Sequence, residues 1–387
     1  MKQIAEELQK IKDKGLFREF KWLEAPQGTD TVINGRKVLL LSSNSYLGLC
    51  NDARLKKAAI NAIEKYGVGA GGSRLTTGSY LLHRQLELEL ARFKHTESAM
   101  IFNTGYMANL GTIAGLADEG WVIYCDRLNH ASIIDGCRLS GAKLVIYKHC
   151  DPADLEKKLQ RYGGGSKLIV TDGVFSMDGD IAPLKEIVAI ARKYQALTMV
   201  DDAHATGVIG PNGGGTADYF GLEAEIDIQM GTLSKALAGE GGFVAGKREL
   251  IEYLRHRAKS FIYSTALAPP AIAVALEALS IVKNEPLPRK VLLENAIWLR
   301  EQLAGAGFNV IAGCTPIIPL IAGPAGITVS FSQRLLEEGI YIPAIRPPTV
   351  HEGASRLRIS IMATHTREVL QEAIGRIKAI GRELKLI

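Results

Sequence analysis

The chain has 387 residues, a hydrophobic fraction of 47% and a charged fraction of 22%, which excludes a disordered, collagen-like or coiled-coil protein and is too much for one simple core. Its 46 basic and 41 acidic residues leave a net charge of +5 with no concentrated basic block. Nucleic-acid binding is therefore not expected, although a mildly basic surface suits anionic substrates.

The first residues, MKQIAEELQKIKDKGL, alternate charged and apolar positions at helical spacing and predict a helix over 2–14. They hold no apolar h-region, so no secretory signal is expected. No stretch reaches the roughly 18 uncharged apolar residues of a membrane span, and the expected location is the cytoplasm. Next comes VLLLSSNSYLGL, a short strand followed by turn residues Asn44, Ser45 and Gly48. Asp52 caps a predicted helix, ARLKKAAINAIEKY, that stops at Gly67. The loop GVGAGGSRLTTGS follows a helix rather than a strand, so it is not a dinucleotide fingerprint.

From there strands alternate with helices. Predicted strands are AMIFNT, WVIYC, KLVIY, KLIVTDGVF, LTMVDDAH, IDIQMGT and GFVAG; the helices between them include HRQLELELARF, DPADLEKKLQRY and PLKEIVAIARKY. Consecutive apolar positions mark strands covered on both faces, which implies an α/β fold with a mostly parallel central sheet. After about residue 280 the pattern changes to helix VLLENAIWLREQLAGAG, strands FNVI and PIIPLIAG, helix SFSQRLLEEG, strands IYIPAI and RLRISI, and a last helix. The predicted organisation is an N-terminal segment 1–45, a large domain 46–280 and a small α+β domain 281–387. Cys50, Cys125, Cys137, Cys150 and Cys314 are scattered without a C-x-x-C pair, which predicts neither a disulfide framework nor a metal site and points to a reducing compartment.

Four places could carry chemistry. Lys235 follows an apolar strand and precedes a Gly-rich turn; apolar flanks desolvate an ammonium and favour the neutral, nucleophilic amine that a Schiff base needs. Thr232 and Ser234 beside it offer hydroxyls to a phosphate. In MVDDAHATG, strand alternation sends Asp201 and Asp202 to opposite faces, so at most one meets a ligand at the strand's C-terminal end. In IFNTGYMANLG a strand runs into Gly105 and a helix begins at once, leaving free N–H groups and a positive dipole end suited to phosphate. His130, in DRLNHASIIDG, is either a ring that stacks on a planar cofactor or a helix cap.

SSNSYLGL, GAGGSRLTTG, FNTGYMANLG, DRLNHASIIDG, TDGVFSMDGD, VDDAHATGVIG, TLSKALAGEGGF, YSTALAPP and RPPTV…RLRIS, unbroken in order from about residue 15 to about 380, together resemble the α-oxoamine synthases of fold type I, which use pyridoxal 5′-phosphate (PLP). That resemblance implies a transferase that condenses an amino acid with an acyl thioester and releases CO2. It makes Lys235 the lysine that carries PLP and Asp201 the partner of the pyridine nitrogen, with His204 and Ser176 near the ring oxygen and His130 stacked on the ring. Gly105, Tyr106 and Thr232 would serve the phosphate pocket. Ser264 or Thr265 would reach the phosphate of a neighbouring subunit, implying a homodimer with shared active sites. Asn44 and an arginine of RLRIS would hold the substrate carboxylate; alternation leaves Arg356 and Arg358 both open, and the family pattern favours Arg358. The stretch IRPPTV is most similar to members that act on L-alanine and pimeloyl-carrier protein or pimeloyl-CoA in biotin synthesis, with Thr349 touching substrate and Arg18 approaching the acyl chain. Val350-His351-Glu352-Gly353 departs from the VP-x-G usual there. The alternative within the family is condensation of glycine with acetyl-CoA.

Overall fold

The computed structural model describes residues 2–13 and 16–387. It divides into two compact units, one of Asn44–Leu292 and one of Met1–Ser43 with Leu293–Ile387.

The Asn44–Leu292 unit is built on a seven-stranded sheet. From edge to edge its strands are Ser98–Phe102, Gly242–Gly246, Ile228–Thr232, Leu197–Asp201, Ser166–Asp172, Trp121–Asp126 and Lys143–Tyr147. All neighbours are parallel except Gly242–Gly246, which runs antiparallel to both strands beside it. Every residue of Ile228–Thr232 and Gly242–Gly246 is buried, the signature of a sheet covered on both faces. Helices Gly105–Leu116 and Ala131–Ser140 pack on one face over Met100, Ile123, Leu168, Met199 and Val244. Helices Pro152–Tyr162 and Leu184–Tyr194 cover the other, over Tyr124, Tyr147, Ile169 and Val200.

Local chemistry sets the helix starts. Asp52, Thr104 and Asp151 each accept a hydrogen bond from the second or third backbone N–H of the helix that follows. Helix Ala53–Tyr66 ends at Gly67 as the sequence implies.

In the other unit, Ile317–Gly323 and Ser355–Ser360 pair antiparallel, with the short strand Ala344–Ile345 on the far side of Ser355–Ser360. A second small sheet joins Asp30–Ile33, Arg36–Leu40 and Ile340–Tyr341. The segment before residue 44 is thus tied by strand pairing into the same unit as the C-terminal part, rather than forming a separate segment ending at 45. The change near 280 also falls elsewhere: residue 280 lies inside helix Pro269–Asn284, which packs on helices Ala53–Tyr66 and Leu81–Phe93, so the unit extends to Leu292. FNVI makes only an isolated bridge from Val310 to Leu320, and IYIPAI breaks into two short strands around Pro343, because a proline supplies no N–H to a ladder. The first helix runs Lys2–Asp13; residue 14 lies outside the described residues. No helix among the described residues is long and apolar enough to cross a membrane.

Candidate active site

The parallel strands deliver their C-terminal ends to one cavity of about 250 Å³ in the Asn44–Leu292 unit, where open α/β sheets bind ligands. Gly105 and Tyr106 line it after strand Ser98–Phe102, His130 after Trp121–Asp126, and Asp172 and Ser176 at and after the end of Ser166–Asp172. Asp201 and His204 come from the end of Leu197–Asp201, and Thr232, Ser234 and Lys235 from the end of Ile228–Thr232.

Lys235 sits in a tight turn. The Leu233 N–H donates to the Gly241 carbonyl at 3.0 Å, and the Ala238 N–H donates to the Lys235 carbonyl at 3.0 Å. Leu233, Ala236 and Leu237 around it are buried, so the amine emerges from an apolar base. Its Nζ lies 2.9 Å from His204 Nε2, and His204 Nδ1 lies 2.6 Å from the hydroxyl of the fully buried Tyr46.

The two aspartates of Asp201-Asp202 part as strand alternation requires. Asp201 faces the cavity, where its carboxylate accepts from Asn109 Nδ2 at 2.6 Å and from the Ala203 N–H at 2.9 Å. Asp202 points the other way, to Lys94 Nζ at 3.2 Å and the Thr216 hydroxyl at 2.6 Å. Burial pushes the Asp202 carboxyl above its ordinary value, while Lys94 and Thr216 oppose the rise. Gly215 is required there: its φ is +103° and a Cβ would come within 2.1 Å of Asp202 Oδ2.

His130 is a helix cap whose ring also borders the cavity. Its Nδ1 accepts from the Ser132 N–H at the start of helix Ala131–Ser140, and its ring lines the cavity. The protein walls cost the imidazole solvation and push its pKa below the ordinary value, although solvent still reaches the ring; the Asp201 charge opposes this and Lys235 adds to it. Asp172, on the strand beside Asp201, is pushed well above the usual carboxylate range by burial and then by the Asp201 charge. At the opposite wall, Thr104 caps helix Gly105–Leu116 and that helix's N-terminus opens on the cavity. A Cβ at Gly242 would lie 2.6 Å from Gly105 Cα, so two glycines let strand and helix start approach.

The sequence did not single out Tyr46, Asn109, Ser132 or Asp172. Asn109 had a signal, as a polar residue within the apolar helix Gly105–Leu116, and Asp172 had one, as an acid ending a strand beside MVDD. Tyr46 had none, because only the fold brings it to His204.

Other expected site residues lie elsewhere. Asn44 accepts from the Tyr46 hydroxyl at 3.3 Å and does not line the cavity. Ser264 borders a small cleft with Arg74 and His83, while the Thr265 carbonyl accepts from Asn103 Nδ2 at 2.6 Å. In the other unit, Arg18 Nη2 donates to Thr349 Oγ1 at 3.2 Å, and both line a groove of about 940 Å³ with Lys21, Arg36 and Arg346. Arg356 and Arg358 are both buried in strand Ser355–Ser360, where Arg358 Nη1 donates to Ser360 Oγ at 2.8 Å.

The cavity fits PLP. It offers an amine rising from an apolar turn, a buried carboxylate fixed by two donors, and an uncharged helix N-terminus with hydroxyls at Thr104 and Thr232, complementary to the coenzyme's aldehyde, pyridine nitrogen and phosphate. Residues 36–377 match the aminotransferase class I and II family. The chain is 56% identical over 382 residues to the 8-amino-7-oxononanoate synthase of Lysinibacillus sphaericus, covering 98% of each chain, and 49% identical over 386 residues to that of Thermoanaerobacter pseudethanolicus, covering 99% and 98%. A serine palmitoyltransferase from S. paucimobilis, solved with a bound PLP–myriocin aldimine, superposes with a TM-score of 0.95 at 36% identity over 100% of this chain and 98% of that one. By its sequence match, its fold and the composition of its cavity, the chain belongs to the aminotransferase class I and II family, in the α-oxoamine synthase branch that uses PLP.

Proposed function

We infer that the chain performs the 8-amino-7-oxononanoate synthase reaction, the condensation of L-alanine with a pimeloyl thioester and release of CO2, in biotin synthesis. The single observation that carries this is the convergence of Lys235, Asp201, His204 and His130 on one cavity, in a chain similar over its full length to enzymes of that name.

When bound, PLP supplies an electron sink for the pair released at the amino acid's α-carbon. Lys235 would hold it, Asp201 would keep the pyridine nitrogen protonated, and the Thr104–Tyr106 helix start with Thr232 would take the phosphate. With the cofactor in place, the Lys235 amine would act as general base toward the proton on the alanine α-carbon. His204, backed by Tyr46, orients that amine through its Nε2. His130 walls one side of the cavity. Arg358, with Asn44, would bind the alanine carboxylate through the planar guanidinium fork. Thr349 and Arg18 would meet the acyl substrate.

The protein is proposed to act as a homodimer in the cytoplasm, with pimeloyl-carrier protein or pimeloyl-CoA as thioester. Exposed apolar side chains support the dimer. Tyr263 is 80% exposed next to Ser264 and Thr265, while Ile4, Leu8, Ile11 and Trp22 lie uncovered in the other unit, and apolar patches of this kind mark interfaces. Ser264 or Thr265 would then serve the partner's phosphate site. The test is product analysis by mass spectrometry with alanine or glycine paired with pimeloyl-CoA or acetyl-CoA. Alanine with pimeloyl-CoA should give 8-amino-7-oxononanoate at the highest kcat/KM; a preference for glycine with acetyl-CoA would replace this reading with the alternative.

A further inference from the structure

His149 sits outside the cavity, in the turn after the edge strand Lys143–Tyr147, and plays no part in the chemistry above. Its Nδ1 lies 3.0 Å from Asp126 Oδ1 and its Nε2 lies 2.8 Å from Asp180 Oδ2. Both ring nitrogens therefore face carboxylate oxygens, and an imidazole can satisfy both only by donating from both, as the cation.

Each carboxylate belongs to a loop that carries a cavity residue. Asp126 Oδ1 also accepts from the Leu128 N–H at 2.8 Å, the Asn129 N–H donates to the Asp126 carbonyl, and His130 follows at once. Asp180 closes the base of the next loop. Its carbonyl accepts from the Phe175 N–H at 3.1 Å, Val174 pairs with Ile181, and Ser176 and Val174 of that loop line the cavity. The three strands feeding these turns, Lys143–Tyr147, Trp121–Asp126 and Ser166–Asp172, are consecutive in the sheet. One ring thus spans three strand ends, and it packs edge-on against Phe175 at 4.4 Å.

From this juxtaposition we infer that His149 is a positioning residue, a cationic bridge that fixes the His130 loop and the Ser176 loop against each other and so sets the width of the cofactor cavity. Burial of the ring works against the charge, but the hydrogen bonds to Asp126 and Asp180, with Cys150 adding to them, carry the pKa up to about 12. The bridge is therefore intact across the neutral range. Cys150 assists from the backbone, its N–H donating to Asp126 Oδ2 at 2.8 Å, and its thiol lies 3.6 Å from Asp180 Oδ2. Asp126 is buried and cannot trade the imidazolium for water, which makes the pair charge-assisted and hard to replace.

This inference rests on the cofactor reading of the cavity, and its test separates the two. Hydrogen exchange would be followed in the PLP-loaded wild type and in His149→Phe, Asp126→Asn and Asp180→Asn, together with the visible absorption band and the cofactor dissociation constant. In His149→Phe, exchange should rise about tenfold or more in both 127–130 and 174–181, with strand Gly242–Gly246 unchanged. Asp180→Asn should loosen only 174–181, and Asp126→Asn chiefly 127–130. The cofactor dissociation constant in His149→Phe should rise about tenfold, and kcat should fall more than KM for alanine rises. His149→Gln, which keeps one donor, should recover part of each effect and covers the case in which the Phe variant does not fold. Unchanged exchange in both loops, or a rise spread evenly over the sheet, would overturn the inference. A wild type lacking the visible band would overturn the cofactor reading, and the exchange pattern would still decide the bridge.

Discussion

The Tyr46 hydroxyl lies 2.6 Å from His204 Nδ1, and the opposite nitrogen of that ring lies 2.9 Å from Lys235 Nζ. Three residues far apart in sequence thus form one hydrogen-bonded line ending on the Lys235 amine. The line fixes the histidine plane, and through it the direction of the lysine. Tyr46→Phe removes a hydrogen bond worth about 1 kcal/mol, so kcat for alanine with pimeloyl-CoA should drop about fivefold with the fold intact. Steady-state kinetics and thermal melting of the same sample check both halves.

Asp201 and Asp202 are adjacent and should fail in opposite ways. Asp201→Asn removes the cavity carboxylate while keeping its shape, and kcat should fall by about a hundredfold or more with little change in melting temperature. Asp202→Asn leaves Lys94 buried without its anion. Breaking a buried pair costs about 3–5 kcal/mol, so this variant should melt well below the wild type. Kinetics and calorimetry on the two variants distinguish them.

Two buried histidines give the stability a defined pH dependence. His83 Nδ1 accepts from the Tyr80 N–H, and His365 Nδ1 from the Met362 N–H. Both are neutral because burial lowers each pKa to about 4, with Arg74 helping at His83. The folded values lie below the unfolded value of about 6.5. Their contribution is therefore fully present above pH 6.5 and is lost as pH falls toward 4, by up to about 3 kcal/mol each. His149 has the opposite sign: its raised pKa stabilises below pH 6.5 and loses effect only as pH climbs toward 12. Chemical denaturation at pH 7.5 and pH 5 should show the lower stability at pH 5, and His83→Gln should narrow that gap.

Arg356 and Arg358 stand two apart on one strand, and alternation could not choose between them. If Arg358 holds the alanine carboxylate, Arg358→Ala should raise KM for alanine about tenfold to a hundredfold, with a smaller effect from Arg356→Ala. Equal effects would assign the carboxylate to neither residue alone.

Much of this was legible in the residue order. The seven strands of the central sheet follow the apolar runs closely, and helix Ala53–Tyr66 matches its cap and its terminal glycine, because both signals are local. The antiparallel direction of Gly242–Gly246 was not, since an apolar run has no polarity. The unit boundaries also escaped, because strand pairing of Asp30–Ile33 and Arg36–Leu40 with Ile340–Tyr341 joins chain segments some three hundred residues apart. Motif and strand position pointed to Lys235, Asp201 and His204, which the structure brings to one cavity. They did not point to Tyr46 or His149, because a tyrosine in an apolar stretch and a histidine after an edge strand acquire meaning only from the neighbours that folding brings.

Everything proposed for the reaction depends on a covalent link between PLP and the amine at residue 235. Borohydride reduction of the purified protein followed by peptide mass spectrometry reads that link directly. The expected result is a reduced pyridoxyl phosphate group on Lys235 and on no other lysine, with the label and the visible band both lost in Lys235→Ala. A label on a different lysine, or one that persists in Lys235→Ala, would contradict the account.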